Sequence, residues 1–253
     1  ASGAAAGSDE LTEVIEMSLR ADPPAGSGSY RLVPGSPGDV LMCLREKRAS
    51  SRPELVECTG MSRAVIAQRV EALMAVGLVV EDGTTPSTGG RRAVRLRFGH
   101  EAGVVAVGHL GATHSRLAVT DLAGRLLADL AVDWPIRLGP GRTLERVAAE
   151  FRSLLDAVGR SVTDLRGIGI GVPGPVQHVE GRPVSPGLMP GWDGFPIAEH
   201  LGDQFEVPVF VDNDVNLMAL GEYGSVWRDR VADLLFVKVG TGIGCGIIAS
   251  GQI

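Results

Sequence analysis

The amino-acid sequence predicts an α/β protein with an N-terminal winged helix-turn-helix. Three observations carry this expectation. Between Ser36 and Gly77, three helical patterns follow one another closely, with the tight turn Thr59-Gly60-Met61 between the second and third. Two short β-type runs, Leu78 to Glu81 and Val94 to Phe98, come next and flank an Arg- and Gly-containing loop. From Gly103 onward, three short strand patterns give way to alternating helices and strands, the pattern of an α/β body.

The first residues, Ala1 to about Gly35, read as a weakly ordered tail. Leu11 to Leu19 can form a short helix, but Pro23-Pro24 and Gly26-Ser27-Gly28-Ser29 break any longer element. Ser36-Pro37-Gly38-Asp39 then opens a helix, with Ser36 at the cap and Pro37 at the first helical position; Val40, Leu41 and Leu44 form its apolar side. Ser51-Arg52-Pro53-Glu54 has the spacing of a capping box for a second helix through Cys58. Ser62 caps a third helix, in which Ile66, Val70 and Leu73 share one face, and Gly77 ends it. The two strands and the loop between them form the wing, so residues 36–98 make one domain.

Residues 99–253 make the body. Gly103 to His109, Ser115 to Asp121 and Arg125 to Asp133 form a meander. Thr143 to Arg160 is an amphipathic helix presenting Leu144, Val147, Phe151, Leu154 and Val158 on one side. Gly167 to Val172 is a buried-type strand, Ile197 to Phe205 a helix, Val207 to Val211 a strand and Asp214 to Val226 a helix. Leu234 to Val239 and Gly246 to Ala249 are the closing strands.

Composition narrows the function classes. A chain of 253 residues with 44% hydrophobic and 21% charged residues has enough apolar material for two globular units. Aromatic residues make up 4%, which argues against stacking on single-stranded nucleic acid. No apolar run reaches the roughly 18 residues of a membrane span, and Ala1 to Gly7 lacks the layout of a signal peptide. Cys43, Cys58 and Cys245 are odd in number and far apart in sequence, so isolated reduced thiols and a cytoplasmic location are expected. The five histidines show no ligand spacing, and no metal is assigned. The net charge of −6 is unevenly spread: Ser36 to Arg97 carries 10 Lys and Arg against 7 Asp and Glu, the remainder 14 against 23. A basic module on an acidic body fits a reader of double-stranded DNA attached to something else.

The third helix is the reading element on this view. Ser62, Arg63, Ala67, Gln68 and Arg69 are its candidate DNA contacts, with Arg91 and Arg92 of the Ser87-Thr88-Gly89-Gly90-Arg91-Arg92 wing laid along phosphates or into the minor groove. An ordinary surface helix and a solvated basic loop are the competing readings.

Three segments of the body have chemical potential. Val107-Gly108-His109-Leu110-Gly111-Ala112-Thr113-His114 is a glycine turn between strands, able to offer N–H groups to a phosphate. Val211-Asp212-Asn213-Asp214-Val215-Asn216 clusters acids and amides at a strand-to-helix junction, where they can bind hydroxyls, accept a proton or simply cap the helix. Val239-Gly240-Thr241-Gly242-Ile243-Gly244-Cys245-Gly246 alternates glycines, which suits either close approach to an anion or a tight hairpin.

Together and in this order, these segments resemble the ROK family, bacterial repressors and sugar kinases that share the actin-like ATPase fold of Hsp70 and actin. Gly169-Ile170-Gly171-Val172-Pro173-Gly174-Pro175-Val176 resembles its strand-and-turn signature. Pro186-Gly187-Leu188-Met189-Pro190-Gly191-Trp192 resembles a segment lining its sugar pocket. The wing is similar to that of its repressors.

The resemblance implies ligand contacts at Gly174, Asn213 and Asp214, with Asp214 at the position of the kinase base. It also implies phosphate-loop remnants at Gly111, Thr113, Gly240, Thr241, Gly242 and Gly244. The first phosphate loop departs from the family pattern: His109 replaces an acid, Ala112 a glycine and His114 a Lys or Asn. ATP chemistry is therefore not expected, and Asp214 stands as a vestigial base rather than a catalytic residue. Gly187 stands where the family commonly has Asn. The family's zinc cluster and most of its second lobe would lie beyond Ile253, so an incomplete second lobe, a fragment and no cofactor are expected. The function expected is a DNA-binding repressor sensing a sugar or related metabolite and forming a homodimer or higher oligomer. An ATP-dependent sugar kinase with a fused DNA-binding domain is the alternative, and a dimerisation platform without sensing a third.

Overall fold

The computed structural model describes residues 35–84, 94–177, 179–240 and 242–253. The expected tail over residues 1–34, the wing tip with Arg91 and Arg92, and Thr241 lie outside the described residues. The chain divides into two compact units, one ending at Ala102 and the other beginning at Gly103. The helical turn His100–Ala102 thus belongs with the first unit, beyond the boundary at Phe98 that the strand pattern suggests.

The first unit contains α1 (Pro37–Arg45), α2 (Arg52–Thr59), α3 (Arg63–Ala75), β1 (Val79–Thr84) and β2 (Val94–Phe98). The strands pair antiparallel with Val80 opposite Arg97. Val40, Leu44, Leu55, Ile66, Val70 and Leu96 meet in one core, so the seam Ile66-Val70-Leu73 packs inward as its spacing requires. The helix starts are secured differently from expectation. Ser36 makes no cap hydrogen bond; the Asp39 carboxylate instead accepts the Gly35 N–H at 2.6 Å. Glu54 reaches past Ser51 to the Ser50 N–H at 2.8 Å while also accepting the Ser51 hydroxyl at 2.8 Å. Ser62 does cap α3, its hydroxyl accepting the Val65 N–H at 3.4 Å. Gly60 and Gly77 close α2 and α3 in the left-handed region, at φ 72° and 73°.

The expectation of three isolated thiols is corrected here. Cys43 on α1 and Cys58 in the last turn of α2 are joined as a disulfide, with their Cα atoms 6.8 Å apart. Separation along the chain says nothing about separation between packed helices, and the hydrophobic seam of α1 and α2 brings the two sulfurs together. Cys245 alone is free.

The second unit is built on a mixed sheet of five strands in the order β5-β4-β3-β6-β9. These are β3 (Val104–Leu110), β4 (Ser115–Asp121), β5 (Leu126–Val132), β6 (Leu165–Val172) and β9 (Val209–Asn213). The first three form the antiparallel meander, and β6 and β9 continue it in parallel with β3. Two short strands, β7 (Val176–Gln177) and β8 (Arg182–Pro183), pair separately. Helix α4 (Pro140–Ala157) lays Leu144, Val147, Phe151 and Leu155 on the sheet, and α5 (Ile197–Phe205) packs Leu201 and Phe205 into the same core. Trp192 is fully buried there, its indole N–H donating to the Ile136 carbonyl at 2.9 Å.

After β9, α6 (Asp214–Glu222) runs into a wide helical turn at Tyr223–Trp227. The chain then forms an antiparallel ribbon of β10 (Leu234–Val239) and β11 (Ile243–Ile248), with Val239 opposite Ile243. The last strand therefore begins earlier than its apolar residues suggest, because Gly244 and Gly246 are ladder positions. One face of the ribbon packs on α6 through Phe236 and Ile248; Leu235, Val237, Ile243 and Ile247 are exposed on the other.

The ribbon can lie so close to α6 because those positions lack side chains. A Cβ on Gly244 would sit 2.6 Å from Val215 Cγ2, and one on Gly246 would sit 2.6 Å from Ala219 Cβ and 2.8 Å from the Val215 carbonyl oxygen. At Gly240, in the turn, nothing lies within 4 Å. Gly246→Ala is accordingly expected to destabilise the body by about 1–3 kcal/mol through overpacking, whereas Gly240→Ala changes stability by less than about 0.5 kcal/mol. Urea denaturation of both variants checks this; equal effects would remove the packing role from Gly246.

Candidate functional site

Two places gather the residues that the sequence singles out. The first is the outer face of α3. Burial of Ile66, Val70 and Leu73 at 3% exposure or less fixes the rotation of the helix, so Arg63, Ala64, Gln68 and Glu71 point outward and are exposed. Ser62 is exposed as well, while Ala67 and Arg69 are half-buried. The Arg69 Nε is buried and has no hydrogen-bond partner among the described residues. The stem of Arg69 therefore lies against the domain, and only the outer nitrogens of its guanidinium are available to a ligand. On the hairpin, Arg97 is held by Glu101 at 2.9 Å and Arg95 lies 3.9 Å from Asp82. Those two cations are locally balanced, and the described part of the hairpin adds little net charge.

The second place lies at the C-terminal ends of β3, β6 and β9, where β9 turns into α6. Here Asp214 is the first residue of α6 and only 5% exposed. Its Oδ2 accepts from Lys238 Nζ at 2.6 Å and from His109 Nε2 at 3.2 Å. Burial on its own would raise the Asp214 carboxyl; the hydrogen bonds from His109 and Lys238, together with the Lys238 charge, outweigh it and hold the group below the ordinary aspartate range. Since the carboxylate is ionised, the His109 nitrogen facing it must carry the proton.

Asn213 caps α6: its side-chain oxygen accepts the Val215 and Asn216 N–H groups at 2.9 and 3.4 Å. Its amide nitrogen donates to the Gly174 carbonyl at 3.0 Å, so the structure brings Gly174, Asn213 and Asp214 together. The neighbouring Asp212 accepts from the Asn213 N–H at 2.6 Å and the Asn216 amide at 3.1 Å. Much of the polar capacity of Asn213 is thus spent on framework, which is the capping role its position allowed.

The glycine segments are placed as follows. The Gly111 N–H donates to the His114 carbonyl at 3.0 Å, closing the β3–β4 turn, and the Thr113 hydroxyl lies 3.0 Å from His114 Nδ1. Gly240 and Gly242 stand in the ribbon turn, where the Gly240 N–H donates to the Gly242 carbonyl at 2.9 Å. Gly244 lies beyond the turn, inside β11. Of the pocket segment, Met189 and Trp192 are core residues while Gly187 and Leu188 are exposed.

Sequence reasoning did not find Lys238. Its signal was a single cation in the otherwise apolar run Leu234-Leu235-Phe236-Val237-Lys238-Val239, at a position whose alternation points it toward α6. His109 was read as the loss of an acid; in the structure it is a partner of Asp214.

Comparisons with known proteins agree with this architecture. A xylose repressor of Caldicellulosiruptor bescii is 28% identical over 222 residues, covering 85% of this chain and 53% of the repressor. The chain spans about half the length of the curated relatives it matches first, 52–53% of each. Among solved structures, a ROK family transcriptional regulator described as a homologue of the Escherichia coli MLC protein superposes with a TM-score of 0.72 at 23% identity. That superposition covers 85% of this chain and 54% of the regulator. A ROK hexokinase from Thermus thermophilus superposes with a TM-score of 0.50 at 31% identity, covering 59% and 48%. The body is the actin-like sugar-kinase fold with a mixed sheet. The model of the ROK family matches residues 105–253, and the chain belongs to that family.

Proposed function

We propose that the chain is the DNA-binding and sensor part of a transcriptional repressor that responds to a sugar or sugar-derived metabolite. The observation that carries the reading is the outer face of α3. A capped helix with Arg63, Ala64 and Gln68 exposed and three apolar residues buried follows a short helix and a glycine turn, and a hairpin follows it. This arrangement supports reading the unit as a winged helix, whose third helix enters the major groove. The similarity to xylose repressors supports a sugar as the effector. A symmetric dimer would bind paired half-sites, and the effector would act by favouring one arrangement of the two reading heads over another.

The state of Asp214 supports a sensor over a kinase. A general base must take a proton from a hydroxyl, and a carboxylate held low by a lysine and a histidine is a weak base. Both of those side chains engage the same carboxylate oxygen, Oδ2. Asp214 nevertheless keeps its place, and the likeness to a hexokinase keeps the kinase alternative testable. No helix among the described residues is long and apolar enough to cross a membrane.

Three expectations test the reading. Gln68→Ala should cost about 1–3 kcal/mol of discrimination at one base pair of the operator. Arg91→Ala should weaken operator and random DNA alike and flatten the salt dependence by about 0.9 in log–log slope. Binding isotherms on both DNAs at several salt concentrations separate these, and equal losses on both for Gln68→Ala would remove its reading role. Second, the full-length protein should phosphorylate no hexose with ATP; turnover abolished by Asp214→Asn would establish the kinase instead.

The third expectation concerns the cluster. Because the folded Asp214 carboxyl lies below its unfolded value, its stabilisation is complete above the ordinary aspartate pKa and is lost as pH falls through the lower folded value. Lys238→Met should raise the carboxyl, move that loss to higher pH and cost on the order of 1–2 kcal/mol at neutral pH, allowing for the partial exposure of Lys238. Urea denaturation between about pH 3 and pH 7, with a carboxyl titration by NMR, reads both; an unmoved Asp214 titration would mean that Lys238 does not hold it.

A further inference from the structure

The disulfide of the first unit has surroundings that a purely structural crosslink does not need. Cys43 is 2% exposed, inside the helical core, whereas Cys58 is half-buried. Both line a recess of about 180 Å³ together with Asp39, Met42, Arg48 and Thr59. The chain after α1 folds back through Lys47, which adopts the left-handed conformation at φ 56°. The Arg48 and Ala49 N–H groups then donate to the Cys43 carbonyl at 2.9 and 3.2 Å. This return places the Arg48 guanidinium over the pair, with Nη1 3.4 Å from Cys58 Sγ. The Arg48 Nε is anchored by Glu46 Oε2 at 2.8 Å, which fixes the fork and offsets part of its charge. Asp39, the other acid at the recess, has an oxygen committed to the Gly35 N–H.

A thiol in the last turn of a helix meets the negative end of the helix dipole, which disfavours the thiolate. A guanidinium in contact with the sulfur opposes that and favours it. Cys58 is therefore the member equipped to react, through a recess wide enough for a small oxidant. Cys43, shielded and adjacent, is equipped to resolve the product. We propose that Cys43 and Cys58 are a reversible dithiol, oxidised by a peroxide, rather than a permanent crosslink.

The chemistry balances as two steps. The Cys58 thiolate attacks one peroxide oxygen, forming an S–O bond and breaking the O–O bond; the hydroxide released takes a proton and leaves as water. The Cys43 thiol then gives up its proton as its sulfur attacks the Cys58 sulfenic acid. The S–S bond forms, the S–O bond breaks, and a second water leaves. Two thiols lose two electrons and the peroxide is reduced to two waters. A thiol reductant reverses the change by exchange.

Closure joins α1 to α2 across 15 residues of sequence, and both helices pack on α3 through Val40, Leu55 and Ile66. Oxidation thereby removes freedom from the unfolded chain and stiffens the platform under α3. This inference stands whether or not α3 reads DNA.

The test uses Cys245→Ser protein, fully reduced and then treated with hydrogen peroxide, with remaining thiols alkylated in denaturant. Both thiols should disappear together, a peptide linking Cys43 to Cys58 should be found by mass spectrometry, and dithiothreitol should restore both. Adding Arg48→Ala should slow the loss roughly threefold or more. With Cys43→Ala, Cys58 should stop at a sulfenic acid that dimedone traps. The oxidised form should melt about 5 °C or more above the reduced form of the same protein. Independent oxidation of the two thiols without the linked peptide would overturn the proposal, as would an oxidation rate indifferent to Arg48→Ala.

Discussion

The body turns on one buried carboxylate. Asp214 is removed from water at the junction where a central strand becomes a helix, and a bare charge there would cost several kcal/mol. Its oxygen is shared between the ammonium of Lys238 on the ribbon and the imidazole of His109 at the end of β3. Three elements distant in sequence are thereby tied to one atom. Asp214 also stands in the first turn of α6, where the helix dipole favours a negative charge.

The glycines acquire a second meaning from this arrangement. Alternate glycines near a strand end suggest backbone left open for a phosphate, and the ribbon turn at Gly240 and Gly242 retains that openness. Gly244 and Gly246 do not, since Val215 and Ala219 of α6 fill the space beside them. Their absent side chains bring β10 close enough for Lys238 to reach Asp214. The backbone of the β3–β4 turn is likewise engaged, with the Gly111 N–H donating across the turn. Glycine spacing alone cannot distinguish a surface that approaches a ligand from one that approaches a helix, because the steric demand on the Cβ position is the same.

That ambiguity marks the limit of what was legible. Elements with a clear period were read nearly to the residue: Ser115–Asp121, Ile197–Phe205 and Leu234–Val239 coincide with β4, α5 and β10. The apolar seam of α3 was legible for the same reason, since local spacing determines which residues face inward. Contacts between elements were not. Cys43 and Cys58 meet only because α1 and α2 pack side by side, and Lys238 meets Asp214 only because β11 closes on α6. The capping box at Ser51 was half-read: Glu54 does reach back, but the donor it finds is the Ser50 N–H, one residue earlier than the motif predicts. The position of Asn213 in the sequence allows either a ligand contact or a cap, and its two acceptor contacts to α6 give it the second role.

The polarity of α3 follows from the same local geometry. Ala64, Gln68, Glu71 and Ala75 form one exposed stripe at helical spacing. A phosphate backbone tolerates the first half of that stripe, where Arg63 and the free N–H groups of the helix start supply positive charge. It repels the second half at Glu71. The half-buried Arg69 cannot compensate, since its stem is packed against the domain and only its outer nitrogens are presented. On the proposed DNA-reading role, this distribution favours entry by the N-terminal end of the helix, with Gln68 toward the bases and Glu71 away from the phosphates.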